Sequence, residues 1–271
     1  MSAKPPIVDA QIHLWTQEQA PPHHWRTPFL MGDAIAAMDE AGVDRAINHP
    51  AVWDPNSNDY SVEAAKAHPD RFATLGWFAL DGANEGTIDE WLEKPGMLGL
   101  RFMLAMPDMA AKFDSGELDW IFAAASAREI PVGLMLPPGS VEKIGSVARA
   151  NPGVRILVDH LNAVPFQTLP QALAHRDSLV TLAETPNVAI KATAVPAISN
   201  EDYPFRHTHA DLKALFDAYG PKRFFWGSDY TRLKCSWAEC KTAFTDHIDW
   251  LDGEDLDQVM GKAVLDWVGW D

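Results

Sequence analysis

The chain has 271 residues, 47% of them hydrophobic, and is therefore long enough to bury one sizeable core. Its formal net charge of −16 argues against nucleic acid and anionic membranes as partners, because both require basic patches. No segment approaches the ~18 apolar residues of a membrane span. The first residues also lack the apolar stretch of a secretory signal, so we expect a cytoplasmic protein.

Eight short apolar runs are predicted as strands, and a helical pattern follows each of them. Near-continuous apolar strands that alternate with helices are typical of a parallel sheet covered on both faces. The pattern favours a single-domain (β/α)₈ TIM barrel over residues 1–271. An open doubly wound sheet has similar local patterns, but no G-x-G-x-x-G motif opens the first helix. The predicted strands are 7–14, 43–49, 72–80, 97–104, 131–136, 154–160, 188–193 and 223–228.

Helix boundaries are predicted from capping residues and helix breakers. Asp33 is expected to cap a helix that ends at Gly42, and Ser140 to cap the helix after the fifth strand. Two longer helices are expected at about 115–129 and 165–184. Trp267 and Trp270 are compatible with closing the barrel bottom or with a subunit contact, so a homo-oligomer stays open.

Polar residues stand at the carboxyl ends of the predicted strands, where the active sites of such barrels lie. Gln11 and His13 are two residues apart in the first strand and therefore face the same side. A buried polar group is costly unless it is paired, so several at one mouth indicate a reaction site. His49 precedes Pro50 and is better interpreted as a loop or packing histidine. The other members are Asn48, Arg101, Asp159, His160, Lys191 and Asp229.

Three strand ends carry a family likeness. The segments DAQIHLW, LVDHLN and FFWGSDY resemble the amidohydrolase superfamily. Within it they are most similar to the amidohydrolase-related (amidohydrolase 2) branch, which contains 2-pyrone-4,6-dicarboxylate lactonase and sugar lactonases. AMDEAGVDRAI, HPDRF and GMLGLRF extend the likeness over essentially the whole chain. The resemblance implies a hydrolase in which Asp229 is the general base toward water and His160 is the strand-six histidine. The strand-one H-x-H pair corresponds to Gln11 and His13.

The position of Gln11 bears on metal binding. In metal-dependent relatives the strand-one, strand-six and strand-eight positions hold zinc or another divalent ion. An amide oxygen is a poor zinc ligand, and the lactonases of this branch are regarded as metal-free. We therefore predict that no cofactor is required, although His13, His160 and Asp229 could hold Zn²⁺ or Mn²⁺ weakly.

Lactone hydrolysis needs a base for water and donors for the oxyanion. Burial is expected to raise the pKa of Asp229 toward the working pH. His13, His160 and the Gln11 amide are expected to donate to the oxyanion, and one such donor lowers the barrier by about 3–4 kcal/mol. The alternative is a structural Asp229 that pairs with Arg101 or Lys191.

The expected partner is a small-molecule substrate, a lactone derived from an aromatic compound or a sugar with at most one or two carboxylates. Arg101 is the expected carboxylate anchor, and Arg206 and Arg232 are candidates for a second one. Asn58 and Tyr60 are explained equally well by capping and packing. The other predicted substrate-binding residues are Gln11, Trp53, Trp77, Met135 and Lys191.

Two rival functions stay open. The first is a metal-dependent nonoxidative decarboxylase of an aromatic acid, which should keep a good metal ligand where this chain has Gln11. The second is a non-catalytic barrel that binds a small molecule. Gln11 suggests it, but the retained His13, His160 and Asp229 oppose it.

Overall fold

The eight strands form one parallel barrel in the computed structural model, which describes residues 5–18, 20–21, 23–137 and 139–271. The strand order is β1 to β8, with every sequential pair parallel. The strands are β1 Val8–Ile12, β2 Arg45–Asn48, β3 Phe72–Trp77, β4 Met97–Met103, β5 Pro131–Met135, β6 Arg155–Val158, β7 Val188–Ala192 and β8 Phe224–Trp226.

The end of β8 returns to β1 and closes the barrel. The Asp229 N–H donates to the Gln11 carbonyl at 2.9 Å, and the Ser228 N–H donates to the Asp9 carboxylate at 2.9 Å. The predicted (β/α)₈ barrel is therefore confirmed. Residues 1–4 of the predicted 1–271 domain lie outside the described residues.

Helices follow the strands around the outside. They are α1 Met31–Ala41, α2 Ser57–Ala67, α3 Glu85–Leu92, α4 Pro107–Ser115, α5 Asp119–Ala127, α6 Val141–Ala150, α7 Arg176–Leu182, α8 Val195–Ile198, α9 His209–Tyr219, α10 Trp237–Thr245, α11 Gly253–Asp257 and α12 Ala263–Val268. None of the described helices is long and apolar enough to cross a bilayer.

The two long helices predicted from the sequence are both shorter in the structure. The helix predicted at about 115–129 is observed as α5, and the left-handed Gly116, with a φ of 82°, separates it from α4, which was not predicted. In the second, Pro170 lacks the N–H that a helix interior requires, and only α7 of the 165–184 segment is α-helical.

Two predicted caps differ in detail. α1 begins two residues before Asp33, whose carboxylate accepts the Leu30 N–H at 3.3 Å from the third helical position. Ser140 does precede α6, but its hydroxyl donates to the Pro137 carbonyl instead of capping the helix.

The bottom of the barrel is filled by a separate apolar cluster. Ile47, Leu75 and Phe225 are each 1% exposed or less and pack with Val264 and Val268 of α12. Trp267 and Trp270 lie against this cluster, and the Trp267 ring centroid is 6.0 Å from that of Phe225. The closing helix therefore seals the end opposite the polar strand ends.

Candidate active site

Three strands end in residues with left-handed backbone. His160 after β6, Ala194 after β7 and Asp229 after β8 have φ values of 53°, 55° and 54°. A non-glycine residue in this region costs about 1–3 kcal/mol, and such strain concentrates at functional sites. The turns thus bring His160 and Asp229 to the barrel mouth at an energetic cost that the surrounding packing offsets.

A buried ion cluster lies beneath the mouth. Arg101 Nη2 contacts Asp159 Oδ2 at 2.8 Å, and Lys191 Nζ contacts Asp159 Oδ1 at 2.8 Å. Burial raises the pKa of Asp159, but the charges of Lys191 and Arg101 outweigh it and hold the pKa well below its ordinary value. Burial is also the main cause that lowers the pKa of Lys191 to about 8. Arg101, the predicted carboxylate anchor, is therefore already paired with the internal carboxylate of Asp159. Its guanidinium also lies over the Trp77 ring at 4.9 Å.

Lys191 has two further polar neighbours besides Asp159. Its Nζ donates to Gln11 Oε1 at 2.6 Å and lies 3.1 Å from His49 Nε2, which also lies 3.1 Å from the Ala10 carbonyl. His49 is fully buried, and burial together with the nearby Lys191 charge lowers its pKa well below the ordinary value. His49 therefore belongs to the cluster under the mouth, which the interpretation as a loop or packing histidine understated.

Lys191 also fixes the orientation of Gln11 and thereby the tautomer of His160. Because an ammonium only donates, the Gln11 oxygen faces Lys191 and its amide N–H donates to His160 Nε2 at 3.1 Å. His160 Nδ1–H then donates to Thr193 Oγ1 at 2.8 Å. Burial is the main cause that lowers the pKa of His160 to about 3, so the ring is neutral with both nitrogens engaged.

The two oxygens of Asp229 face different neighbours. Oδ1 lies 3.3 Å from His13 Nε2, and Oδ2 lies 3.2 Å from Arg232 Nη1 and 3.9 Å from His160 Nε2. The structural alternative, pairing of Asp229 with Arg101 or Lys191, is wrong, because both cations pair with Asp159.

The expectation that the pKa of Asp229 lies above its ordinary value, nearer the working pH, is also wrong. Burial does raise it, but the hydrogen bond with His13 and the charge of Arg232 outweigh that cost and hold the pKa well below its ordinary value. The carboxylate is therefore ionised at neutral pH, although it is only 1% exposed.

The predicted metal set of His13, His160 and Asp229 fits poorly, because the lone pair of His160 Nε2 accepts the Gln11 amide. A different trio fits better. Ligand atoms of His13, His24 and Asp229 all lie within 4.8 Å of one another, and two imidazoles with one carboxylate form a good donor set for zinc. Sequence reasoning missed His24, whose only signal was the His-His pair at 23–24 in the loop after β1.

A cavity of about 940 Å³ opens above these residues. Of the predicted site residues, His160 and Met135 line it, together with Arg232. The wall also contains Trp25, Phe166, Tyr203 and Pro196. This volume is at the upper end of ordinary small-molecule sites, and the wall combines aromatic surface with charged side chains of both signs.

The other predicted aromatic and polar residues have structural contacts. Trp53 packs on the rings of His13 and His24, with centroids 5.9 and 4.6 Å apart. Asn58 pairs with the backbone N–H and carbonyl of Trp77, both at 3.0 Å. The Tyr60 hydroxyl accepts the Met31 N–H at 3.0 Å where α1 begins.

Comparison with known families agrees with this geometry. The model of the Amidohydrolase family matches residues 8–263. The chain belongs to the amidohydrolase family. No curated protein matches the chain.

Solved structures share the fold at low sequence identity. A zinc-bound amidohydrolase from Burkholderia multivorans is 19% identical with a TM-score of 0.85, over 98% of this chain and 100% of that one. A Pseudomonas putida protein named as a 2-pyrone-4,6-dicarboxylic acid hydrolase is 18% identical with a TM-score of 0.74, over 97% of both chains. The 5-carboxyvanillate decarboxylase of Novosphingobium aromaticivorans, complexed with manganese and 4-hydroxy-3-methoxy-5-nitrobenzoic acid, is 14% identical with a TM-score of 0.66, over 97% of this chain and 96% of that one.

Proposed function

We propose that this amidohydrolase opens a small cyclic ester by hydrolysis, with Asp229 as the general base toward water and without a required metal. One observation carries the proposal: Asp229 is buried and ionised, and its Oδ2 is directed toward His160 and Arg232, which line the cavity. The likeness to a 2-pyrone-4,6-dicarboxylic acid hydrolase supports a lactone, because that name denotes opening of a cyclic ester.

In the proposed reaction, water on the Oδ2 side gives a proton to Asp229 as its oxygen bonds to the ester carbonyl carbon. The ring C–O bond then breaks, and the proton passes from Asp229 to the leaving alkoxide. The low pKa of Asp229 keeps it ionised but makes it a weak base, which suits an activated cyclic ester better than an amide.

Arg232 is the proposed electrophile and anchor. Its guanidinium reaches both Asp229 and the cavity, so it can polarise the carbonyl or hold a substrate carboxylate. His160 has no free N–H toward the cavity and, with Gln11 and Lys191, is proposed to shape the mouth. A divalent ion held by His13, His24 and Asp229 would supply Lewis-acid polarisation of the carbonyl.

The remaining predicted residues keep supporting roles in the proposal. Met135 contributes apolar wall, and Trp53 holds His13 and His24 in place. Arg101 and Trp77 support the cluster under the mouth, and Asn58 fixes the backbone of Trp77. Tyr60 anchors the start of α1.

The test follows pH in weakly buffered solution near pH 7.5, with a panel of neutral and carboxylated lactones. Lactone opening releases about one proton per turnover, because the product acid is ionised far above its pKa. Activity should survive chelation and disappear in Asp229→Asn, whereas Asp217→Asn, at an exposed surface pair, should retain it. Arg232→Met should lose at least about tenfold in kcat/KM, most strongly on carboxylated lactones, since one charged contact contributes roughly 1.5–3 kcal/mol.

A metal-dependent decarboxylase of an aromatic acid is the second candidate. The cluster of two histidines and Asp229 favours it, as does the fold shared with a manganese-bound decarboxylase. Decarboxylation with CO₂ swept away consumes one proton per turnover instead of releasing one. Proton uptake on aromatic acids, or loss of lactone opening on chelation, would contradict the metal-free lactonase. Ligand-induced melting shifts without any turnover would indicate a binding protein.

A further inference from the structure

His13, His24 and Asp229 form a compact group of buried ligand atoms at the barrel mouth. His13 and His24 are each 7% exposed, Asp229 is 1% exposed, and their ligand atoms lie within 4.8 Å of one another. We propose that these three side chains bind one divalent cation of the zinc class, with loop residue His24 supplying the ligand that Gln11 and His160 do not. This site can be measured by binding alone, whatever the substrate of the enzyme is.

The hydrogen bond of His13 to the backbone directs its second ring nitrogen at Asp229. His13 Nδ1–H donates to the His49 carbonyl, which leaves Nε2 facing Asp229 Oδ1 at 3.3 Å. Both ring nitrogens of His13 therefore face oxygen acceptors, so this contact requires a positive charge, which is either a second proton on the ring or a cation in its place. Zinc bonds of about 2.0–2.1 Å at a tetrahedral angle place two ligands about 3.4 Å apart, close to the observed separation.

His24 is oriented in the same manner. Its Nδ1 lies 2.9 Å from Thr231 Oγ1, so Nε2 is the nitrogen that would bind the proposed cation. Zinc-bound histidines nearly always have an oxygen partner on the second ring nitrogen, and here both histidines have one. The Trp25 N–H donates to the Thr231 carbonyl at 3.0 Å, which ties the loop of His24 to the turn that follows Asp229.

The expected ligands from strands one and six are engaged elsewhere. The Gln11 oxygen accepts from Lys191, and the Gln11 amide donates to the only lone pair of the neutral His160 ring. Two imidazoles and one carboxylate select borderline ions such as Zn²⁺, whereas Mg²⁺, Ca²⁺ and Mn²⁺ prefer oxygen ligands.

The experiment uses the full chain stripped with chelator and then titrated with Zn²⁺ by calorimetry, with metal content after dialysis measured by mass spectrometry. Wild type should hold one Zn²⁺ per chain and melt at a higher temperature with it. His24→Ala should bind at least about 100-fold more weakly and lose the melting shift, and Thr231→Val should weaken binding roughly 10- to 100-fold. His23→Ala changes the exposed neighbour of His24 and is the matched control, with unchanged affinity.

The outcomes distinguish a site in which a cation lies between His13 and Asp229 from one in which a proton on His13 makes that contact. Wild-type chain that binds no Zn²⁺ would mean that a proton satisfies the contact between His13 and Asp229, and the proposal would fail. Equal Zn²⁺ affinity in His24→Ala and wild type would also overturn it. Loss of binding in His160→Ala but not in His24→Ala would place the ion at the strand-six histidine instead. Circular dichroism of each apo variant shows whether the fold is intact, and His24→Gln provides a second variant of similar size.

Discussion

Asp159→Asn isolates the buried ion cluster, because the side chain keeps its shape and loses only its charge. Arg101 and Lys191 would then be two buried cations without their carboxylate. Burial already lowers the pKa of Lys191 to about 8 with Asp159 present, and loss of that carboxylate lowers it further, so Lys191 can release its proton. Arg101 cannot be neutralised in this way. Removing one partner of a buried ion pair typically costs about 3–5 kcal/mol, and we expect that loss in the free energy of unfolding.

Urea unfolding followed by circular dichroism measures this loss as a shift in midpoint at an unchanged slope. Calorimetry should show a melting temperature lower by roughly 6–20 °C, since about 2–4 °C corresponds to 1 kcal/mol for domains of 150–250 residues. The matched control is Asp217→Asn, which breaks the exposed pair with Lys213 and should cost less than about 1 kcal/mol. A loss below about 1 kcal/mol in Asp159→Asn would refute the reasoning, because Arg101 and Lys191 would then not depend on that carboxylate.

Two further predictions concern the seam between β1 and β8. Burial raises the pKa of Asp9 from 3.8 to about 6. The protonated Asp9 therefore contributes its full stabilisation below pH 3.8, and this stabilisation is lost as the pH rises through about 6. The full effect is about 3 kcal/mol, and urea titrations should show a flatter pH dependence between 4 and 6 in Asp9→Asn than in wild type. A Cβ at Gly227 would stand 2.6 Å from Thr193 Cγ2 and 2.9 Å from the Asp9 carboxylate. Gly227→Ala should therefore destabilise by about 1–3 kcal/mol, whereas Gly32→Ala, with open space in α1, should stabilise by about 0.5–1 kcal/mol.

The barrel could be predicted because its signal is repeated eight times in the sequence. Each strand is a short apolar run and each helix has its own period, so an error at one boundary leaves the count unchanged. The errors fell where one residue interrupts a pattern that otherwise continues. Gly116 lies just inside the helix predicted at 115–129, which begins only at Asp119, and Pro170 removes a donor from the other predicted helix. A periodic pattern is assessed over many residues and is little changed by a single glycine or proline, whereas the backbone conformation at that residue does change.

The strand-end residues of the site could be predicted for the same reason, since barrel topology brings all eight carboxyl ends to one mouth. Their partners could not. Whether Arg101 pairs with Asp159 or Asp229 depends on distances of a few ångströms, and a strand pattern does not contain them. The sign of the Asp229 pKa shift depends on His13 and on Arg232, three residues after Asp229, which together outweigh burial.

Gln11 is the residue on which the predicted metal ligands depend most. Gln11 predicts weak metal binding only if every ligand must come from a strand, because its amide then stands in the place of one histidine ligand. The structure shows that Gln11 acts on a second strand residue, since its N–H takes the lone pair of His160 while Lys191 holds its oxygen. The same pairing leaves Asp229 Oδ1 and His13 facing His24, which comes from a loop whose path depends on contacts across the mouth. A substitution that looks like the loss of a ligand is therefore equally consistent with its transfer to a loop, and the zinc affinity of His24→Ala decides between the two.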